Sequence, residues 1–313
     1  MVLNKEISLV LGSGGARGYA HIGVIEELEE RGYVIKSIAG SSIGSLVGVL
    51  HACSRLQEFK EWVLGKDLLD VMHLLEFNLG TKGVFKGDRI FQVLRNMFDD
   101  VLLEDLTIPV TVVATELLTQ KEVWFVRGPA LEAVRASTAV PGLFTPLVSN
   151  GHVFVDGGLL NPLPLNATAV EINRSIIAVN VNSDVMRPEE MPIPLAEQEK
   201  QEGIRSRFVQ LLERSGVIPK RTEHPSPEDI SLFETIYLTV ETMQNCLTRY
   251  KIAGYPPDLT VNVPRNACTF MDFHKAYDLI ALGRLITKEA LDELEKKAQN
   301  SAKHIKPGPQ VQL

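Results

Sequence analysis

The apolar residues of this chain fall into two kinds of run. Residues 7–11 read ISLVL, almost unbroken, as expected of a strand covered on both faces in a parallel sheet. After a glycine-rich turn at 12–18, Ile22, Ile25 and Leu28 recur at helical spacing until Gly32 stops the helix. The same cycle then repeats: VIKSIAG at 34–40 reads as a strand, GSSIG as a turn, and the apolar residues up to about Cys53 as a second helix. Two consecutive strand–turn–helix units predict a parallel sheet with covering helices.

The pattern predicts further strands at 110–115, 122–126, 152–155, 176–181 and 259–263, and further helices at 87–98, 129–138 and 273–299. Between 183 and 257 the texture changes. Prolines and many charges surround two helical patterns, at 199–214 and 227–250, which suggests a peripheral insertion or lid on a single domain spanning 1–313. The segment 299–313, ending HIKPGPQVQL, is expected to fray.

Charge narrows the choice of partners. The net charge is −7, so no basic field argues for nucleic acid, and contact with anionic lipid would have to be local. The few apolar residues before Gly12 are too short a run for a signal-peptide core, and no apolar run approaches the roughly 20 residues that span a bilayer. Cys53, Cys246 and Cys268 are odd in number and widely spaced, which fits reduced thiols and a cytoplasmic protein.

GSSIG places Ser42 between Gly40 and Gly44, with Ser41 as the variable residue before it. A Gly-x-Ser-x-Gly turn between strand and helix is too tight for a Cβ at its flanks, and it holds the middle side chain up at the carboxyl end of the sheet. Such a pattern also occurs by chance in ordinary strand-to-helix turns. The loop Gly12-Ser13-Gly14-Gly15-Ala16-Arg17-Gly18 joins strand to helix too, and its free N–H groups would suit an anion, either a phosphate or the oxyanion of a tetrahedral intermediate. A P-loop would need a closing Gly-Lys-Ser/Thr, and a dinucleotide loop would need glycine where Arg17 stands. Arg17 is expected either to be solvated or to be buried as a brace for the loop.

A serine nucleophile needs a base, and none of His21, His51, His73, His152, His224, His274 or His304 carries a local motif. His21 and His51 read as packing or surface residues. In VFVDGGLLNPLP, Asp156 ends a short apolar strand and is followed directly by Gly157 and Gly158. Asp-Gly is a common turn. A carboxylate within hydrogen-bond reach of the serine can nevertheless act as general base, and partial desolvation would strengthen it.

Together GSGGARG at 12–18, GSSIG at 40–44, RASTAVPGLFTP at 135–146 and DGGLLNPLP at 156–164 resemble the patatin-like phospholipases, and within them the bacterial proteins similar to the catalytic domain of neuropathy target esterase. The resemblance implies a three-layer α/β/α fold with a mostly parallel central sheet and a histidine-free Ser/Asp dyad that hydrolyses acyl esters of phospholipids or lysophospholipids. Ser42 would be the nucleophile and Asp156 its base. Gly14 and Gly15, with Ala16, would supply the oxyanion hole, and Arg17 matches the family's basic residue; Gly12 and Gly18 would support the loop. Ser13 departs from the family's Gly-Gly-Gly run.

No cofactor or metal is implied. The sequence leaves open whether Leu68, Leu69, Met72, Leu75 and Phe77 line an acyl pocket or pack as core. It also leaves open whether Phe208, Val209, Leu211 and Leu212, with Arg205, Arg207 and Arg214, make transient contact with a membrane surface, placing a cytoplasmic protein at the membrane periphery. Oligomeric state is not legible. Two other classes compete: an α/β-hydrolase that recruits His224 or His274, and a non-catalytic protein whose glycine loop binds a nucleotide or lipid phosphate.

Overall fold

The structure is a computed structural model, and it describes residues 3–75, 88–168, 174–185 and 232–304. Among these, eight strands form one sheet. The strands are β1 (Glu6–Leu11), β2 (Val34–Ser41), β3 (Val110–Glu116), β4 (Lys121–Phe125), β5 (Leu147–Ser149), β6 (His152–Asp156), β7 (Ser175–Ser183) and β8 (Leu259–Pro264). The centre is parallel, in the order β3-β2-β1-β7-β8, and β4, β6 and β5 add antiparallel pairings at the β3 end.

The unbroken ISLVL run is explained by its place. β1 lies between β2 and β7, and Ile7, Leu9, Val10 and Leu11 are all fully buried. Val10 packs with Leu163, Leu165 and Ala178, which leaves no solvent face on this strand. Helices cover the sheet on both sides. They are α1 (Ala20–Glu30), α2 (Ile43–Ala52), α3 (Leu56–Leu64), α4 (Leu68–Leu75), α5 (Asp88–Phe98), α6 (Ala130–Ser137), α7 (Leu232–Gly254) and α8 (Ala276–His304). The result is the expected three-layer α/β/α arrangement.

The chain divides into two compact units: residues 1–186 with 242–313, and residues 187–241. The first carries the sheet. Of the second, only the opening turns of α7 belong to the described residues, so the helical pattern at 199–214, its apolar and arginine residues, and His224 all lie outside them.

Several boundaries differ from the sequence reading. α3 and α4 follow α2 as separate helices, and β5 precedes β6 where no strand was expected. α8 continues to His304, into the stretch expected to fray, because residues 286–304 are rich in alanine, lysine and glutamate and include an i,i+4 pair, Lys297 with Glu293 at 2.7 Å. No described helix is long and apolar enough to cross a membrane. The three cysteines are free thiols.

Candidate active site

β2 ends at Ser41 and α2 begins at Ile43, so Ser42 alone makes the turn between them. Its backbone sits at φ 55°, ψ −127°, a strained conformation for a residue with a side chain. Three hydrogen bonds hold it there. The Ser42 N–H donates to Ser137 Oγ at 2.8 Å, the Ser137 hydroxyl donates onward to the Val113 carbonyl at 2.6 Å, and Ser45 Oγ donates to the Ser42 carbonyl at 2.6 Å. The flanking glycines are steric necessities. A Cβ on Gly40 would lie 2.6 Å from the Gly44 carbonyl oxygen, and one on Gly44 would lie 2.2 Å from that of Leu11.

β3 brings the acid to the serine. β4 pairs with Val112–Glu116 along one edge of β3, leaving β2 and β6 to share the other: β2 over Val110–Val113 and β6 over Ala114–Glu116. Ser41 therefore stands beside Val113 and Asp156 beside Ala114, adjacent positions on one strand. Gly157 makes the fit possible, because a Cβ there would come within 2.0 Å of the Val113 carbonyl oxygen. Asp156 N–H is fixed by the Ala139 carbonyl at 2.9 Å.

The Ser42 hydroxyl donates a hydrogen bond to Asp156 Oδ2, and Oδ1 accepts the Gly158 N–H at 2.7 Å. Both side chains are buried, at 5% and 3% exposure. Burial pushes the Asp156 carboxyl up to about 7, against the lowering effect of the bonds from Ser42 and Gly158. Among the described residues no histidine is hydrogen-bonded to either member of the pair.

The glycine loop leaves β1 next to the elbow, since Leu11 is paired with Gly40. Its first N–H groups are spent on the scaffold: Gly12 donates to Val179 at 3.1 Å and Ser13 to Pro162 at 2.9 Å. Among the described residues, the Gly14 and Gly15 N–H groups have no acceptor. Ala16 corrects the sequence reading, because its N–H donates to the Phe270 carbonyl at 2.9 Å and is thereby committed. Phe270 also lies over Gly15, with its ring 2.5 Å from where a Cβ would stand.

Arg17 is buried, and its guanidinium donates to the carbonyls of Arg265 at 3.0 Å and Cys268 at 3.4 Å, so it braces the loop against the 265–270 segment. Gly18 packs on Ile43, directly after the serine.

His21 is a buried packing residue with a defined task. Its Nε2–H donates to the Gly12 carbonyl at 2.8 Å, and burial lowers its pKa to about 4, so it stays neutral. The sequence reading of His21 as a packing or surface residue did not extend to this bond, and it did not single out Ser137. Ser137 lies inside RASTAVPG, but only the fold reveals that its hydroxyl sits between β2 and β3. Of the candidate acyl-pocket residues, Leu68 is half-buried and Leu69 is 52% exposed, so Leu69 is not core; the side chains of Met72 and Leu75, and the whole of Phe77, lie outside what the structure describes. Among the described residues, no cluster of three or more His, Cys, Asp or Glu side chains could hold a metal ion.

These features fall inside a recognised sequence family. The family model for patatin-like phospholipase matches residues 9–169, which contain the glycine loop, the elbow and Asp156. An uncharacterized NTE family protein of Mycobacterium bovis is 35% identical, the match covering 96% of this chain and 95% of that protein. Patatin-like phospholipase domain-containing protein 6 of Mus musculus is 34% identical over 58% of this chain and 14% of its own length. The solved structure of VipD from Legionella pneumophila shares the fold, with a TM-score of 0.53 at 15% identity over 93% of this chain and 67% of that one. The chain belongs to the patatin-like phospholipase family, and within it resembles the NTE proteins; it is a lipid acyl hydrolase by class.

Proposed function

We propose that this protein cleaves carboxylic esters of phospholipids or lysophospholipids through a Ser42/Asp156 dyad and an acyl-serine intermediate. The observation that carries the reading is the hydrogen bond from the Ser42 hydroxyl to the buried Asp156 carboxylate, on a strained elbow beside two unclaimed glycine N–H groups.

Asp156 takes the Ser42 proton as the oxygen attacks the ester carbonyl, and the Gly14 and Gly15 N–H groups receive the negative charge that develops on the carbonyl oxygen. Asp156 then returns the proton to the departing alcohol. Water, giving its proton to the same carboxylate, attacks the acyl-serine; the bond from Ser42 Oγ to the acyl carbon breaks, Asp156 returns the proton to Oγ, and the fatty acid leaves. A carboxylate of ordinary pKa would be a poor partner for a hydroxyl, and the upward push from burial brings its basicity closer to the task.

Two experiments test this. A fluorophosphonate probe should label the chain at Ser42 and abolish its hydrolysis of lysophosphatidylcholine; labelling elsewhere, or activity that survives labelling, would overturn the reading.

The second is a pH profile. Only ionised Asp156 accepts a proton, so kcat/KM should rise about tenfold per pH unit below about 7 and level off above it. The stability consequence has the opposite sign. A carboxyl raised in the folded state makes no difference below its unfolded pKa of about 4, destabilises increasingly up to about 7, and costs a constant amount beyond, on the order of 4 kcal/mol. Asp156→Asn should therefore raise the melting temperature at pH 8 and leave it nearly unchanged at pH 4.

A further inference from the structure

We propose that the tips of the two hairpins flanking Asp156 form a rigid platform that seats this protein on the surface of a phospholipid bilayer. The inference rests on the lipid hydrolase reading above, and it concerns residues that play no part in that chemistry.

β3 does not stop at the level of the serine. Ser41 pairs with Val113, and the chain runs on through Glu116 into a turn at Leu117–Gln120, so Leu117 lies about 13 Å beyond the elbow along the strand. The β5–β6 hairpin reaches the same level, turning at Asn150–Gly151 with φ of 50° and 80°, the backbone of a two-residue primed turn. The tips are joined side by side, since the Leu117 N–H donates to the Val153 carbonyl at 2.8 Å. Both project past the carboxyl edge of the parallel strands, the edge that carries Ser42 and the glycine loop.

Glu116 fastens the two tips into one body. Its carboxylate is 3% exposed, and it accepts the Thr119 N–H at 2.7 Å, the Thr119 hydroxyl and the Leu118 N–H at 3.4 Å from one turn, and the Val153 N–H at 3.2 Å from the other hairpin. The bonds from Thr119 hold the carboxyl well below the usual carboxylate range, so the clamp keeps its charge.

What this clamp presents to solvent is apolar. Leu117, Leu118 and Val148 are 46%, 69% and 69% exposed, at turn-proximal positions where polar and small residues are the rule. The surrounding stretches, LLTQK at 117–121 and TPLVSNGH at 145–152, contain no aspartate or glutamate, although the chain as a whole carries a net charge of −7. The acids that border LLTQK are the buried Glu116 and the half-buried Glu122, the latter paired with Lys251 at 2.9 Å, and Lys121 adds an exposed positive charge. An aliphatic tip rimmed by an exposed cation, whose bordering carboxylates are buried or paired, matches a membrane interface bearing anionic headgroups.

The test uses the full chain carrying Ser42→Ala, so that lipid is not consumed and binding is read apart from catalysis. The protein should co-sediment with vesicles of phosphatidylcholine and phosphatidylglycerol. Adding Leu117→Ser, Leu118→Ser and Val148→Ser should lower its partition at least tenfold with an unchanged melting temperature, because all three side chains are exposed. Lys121→Glu should weaken binding to the mixed vesicles but not to pure phosphatidylcholine. With Ser42 intact, the triple variant should lose hydrolysis of vesicle lipid about tenfold while retaining hydrolysis of the soluble ester p-nitrophenyl butyrate within twofold. Failure of a parent chain to sediment, an unchanged partition in the triple variant, or a change in oligomeric state on making it would overturn the proposal. Loss of soluble-ester hydrolysis in the wild type would instead count against the dyad.

Discussion

Replacing Ser42 by alanine should reduce ester hydrolysis by about 10⁶-fold, the scale on which a nucleophile acts as one unit with its base. Asp156→Asn keeps the shape and the contact with the Gly158 N–H but cannot accept a proton, and should cost about 10⁴-fold. Because the two residues perform one step together, the double variant should be no worse than Ser42→Ala alone. Ser41→Ala is the control. Its hydroxyl is buried without a hydrogen-bond partner among the described residues and lies against Gly157, so the change removes an unsatisfied group and should leave turnover within about twofold. Steady-state kinetics on one soluble ester measures all four. Equal activity in Asp156→Asn and wild type would return the role of base to a histidine.

How far the chain could be read beforehand depended on how local each feature was. Strand β1 was legible because burial on both faces leaves an unbroken apolar run, and Ser42 was selected over Ser41 by register between two glycines alone. Asp156 needed more. Its motif marked a displayed side chain, but its partnership with Ser42 arises from β2 and β6 sharing one edge of β3, a pairing across more than a hundred residues.

The same non-local logic hid Ser137, whose hydroxyl links two strands, and it misassigned Ala16, whose N–H looks free until the 265–270 segment arrives to claim it. Strand β5 was a different case. Asn150-Gly151 between LVS and HVFV is a strong local hairpin signal, but a strand of three residues is too short for an alternating pattern to mark it.

The site depends on backbone approaching backbone, and that yields a second large effect. Gly44→Ala would place a methyl group 2.2 Å from the Leu11 carbonyl oxygen and 2.8 Å from that of Gly12, neither of which can swing aside as a side chain could. Leu11 is fully buried and hydrogen-bonded within the central sheet, and the Gly12 carbonyl is already held by His21. The start of α2 must therefore move away from the end of β1, at a cost of about 3 kcal/mol or more, which for a chain of this size lowers the melting temperature by roughly 6 °C. Activity should fall further than stability. α2 begins immediately after Ser42, and Gly12 leads directly into Gly14 and Gly15, so the strain separates the nucleophile from the two N–H groups proposed to receive the oxyanion. A loss of 10²-fold or more in kcat, with KM little changed, is the expected signature of donors lost only in the transition state. Gly254→Ala makes the comparison fair: it too adds a methyl group, but into open space at the end of α7, and it should change neither quantity measurably. If Gly44→Ala melts and turns over like Gly254→Ala, then the close contact between β1 and α2 does not govern the elbow, and the steric account of the Gly-x-Ser-x-Gly turn in this protein fails with it.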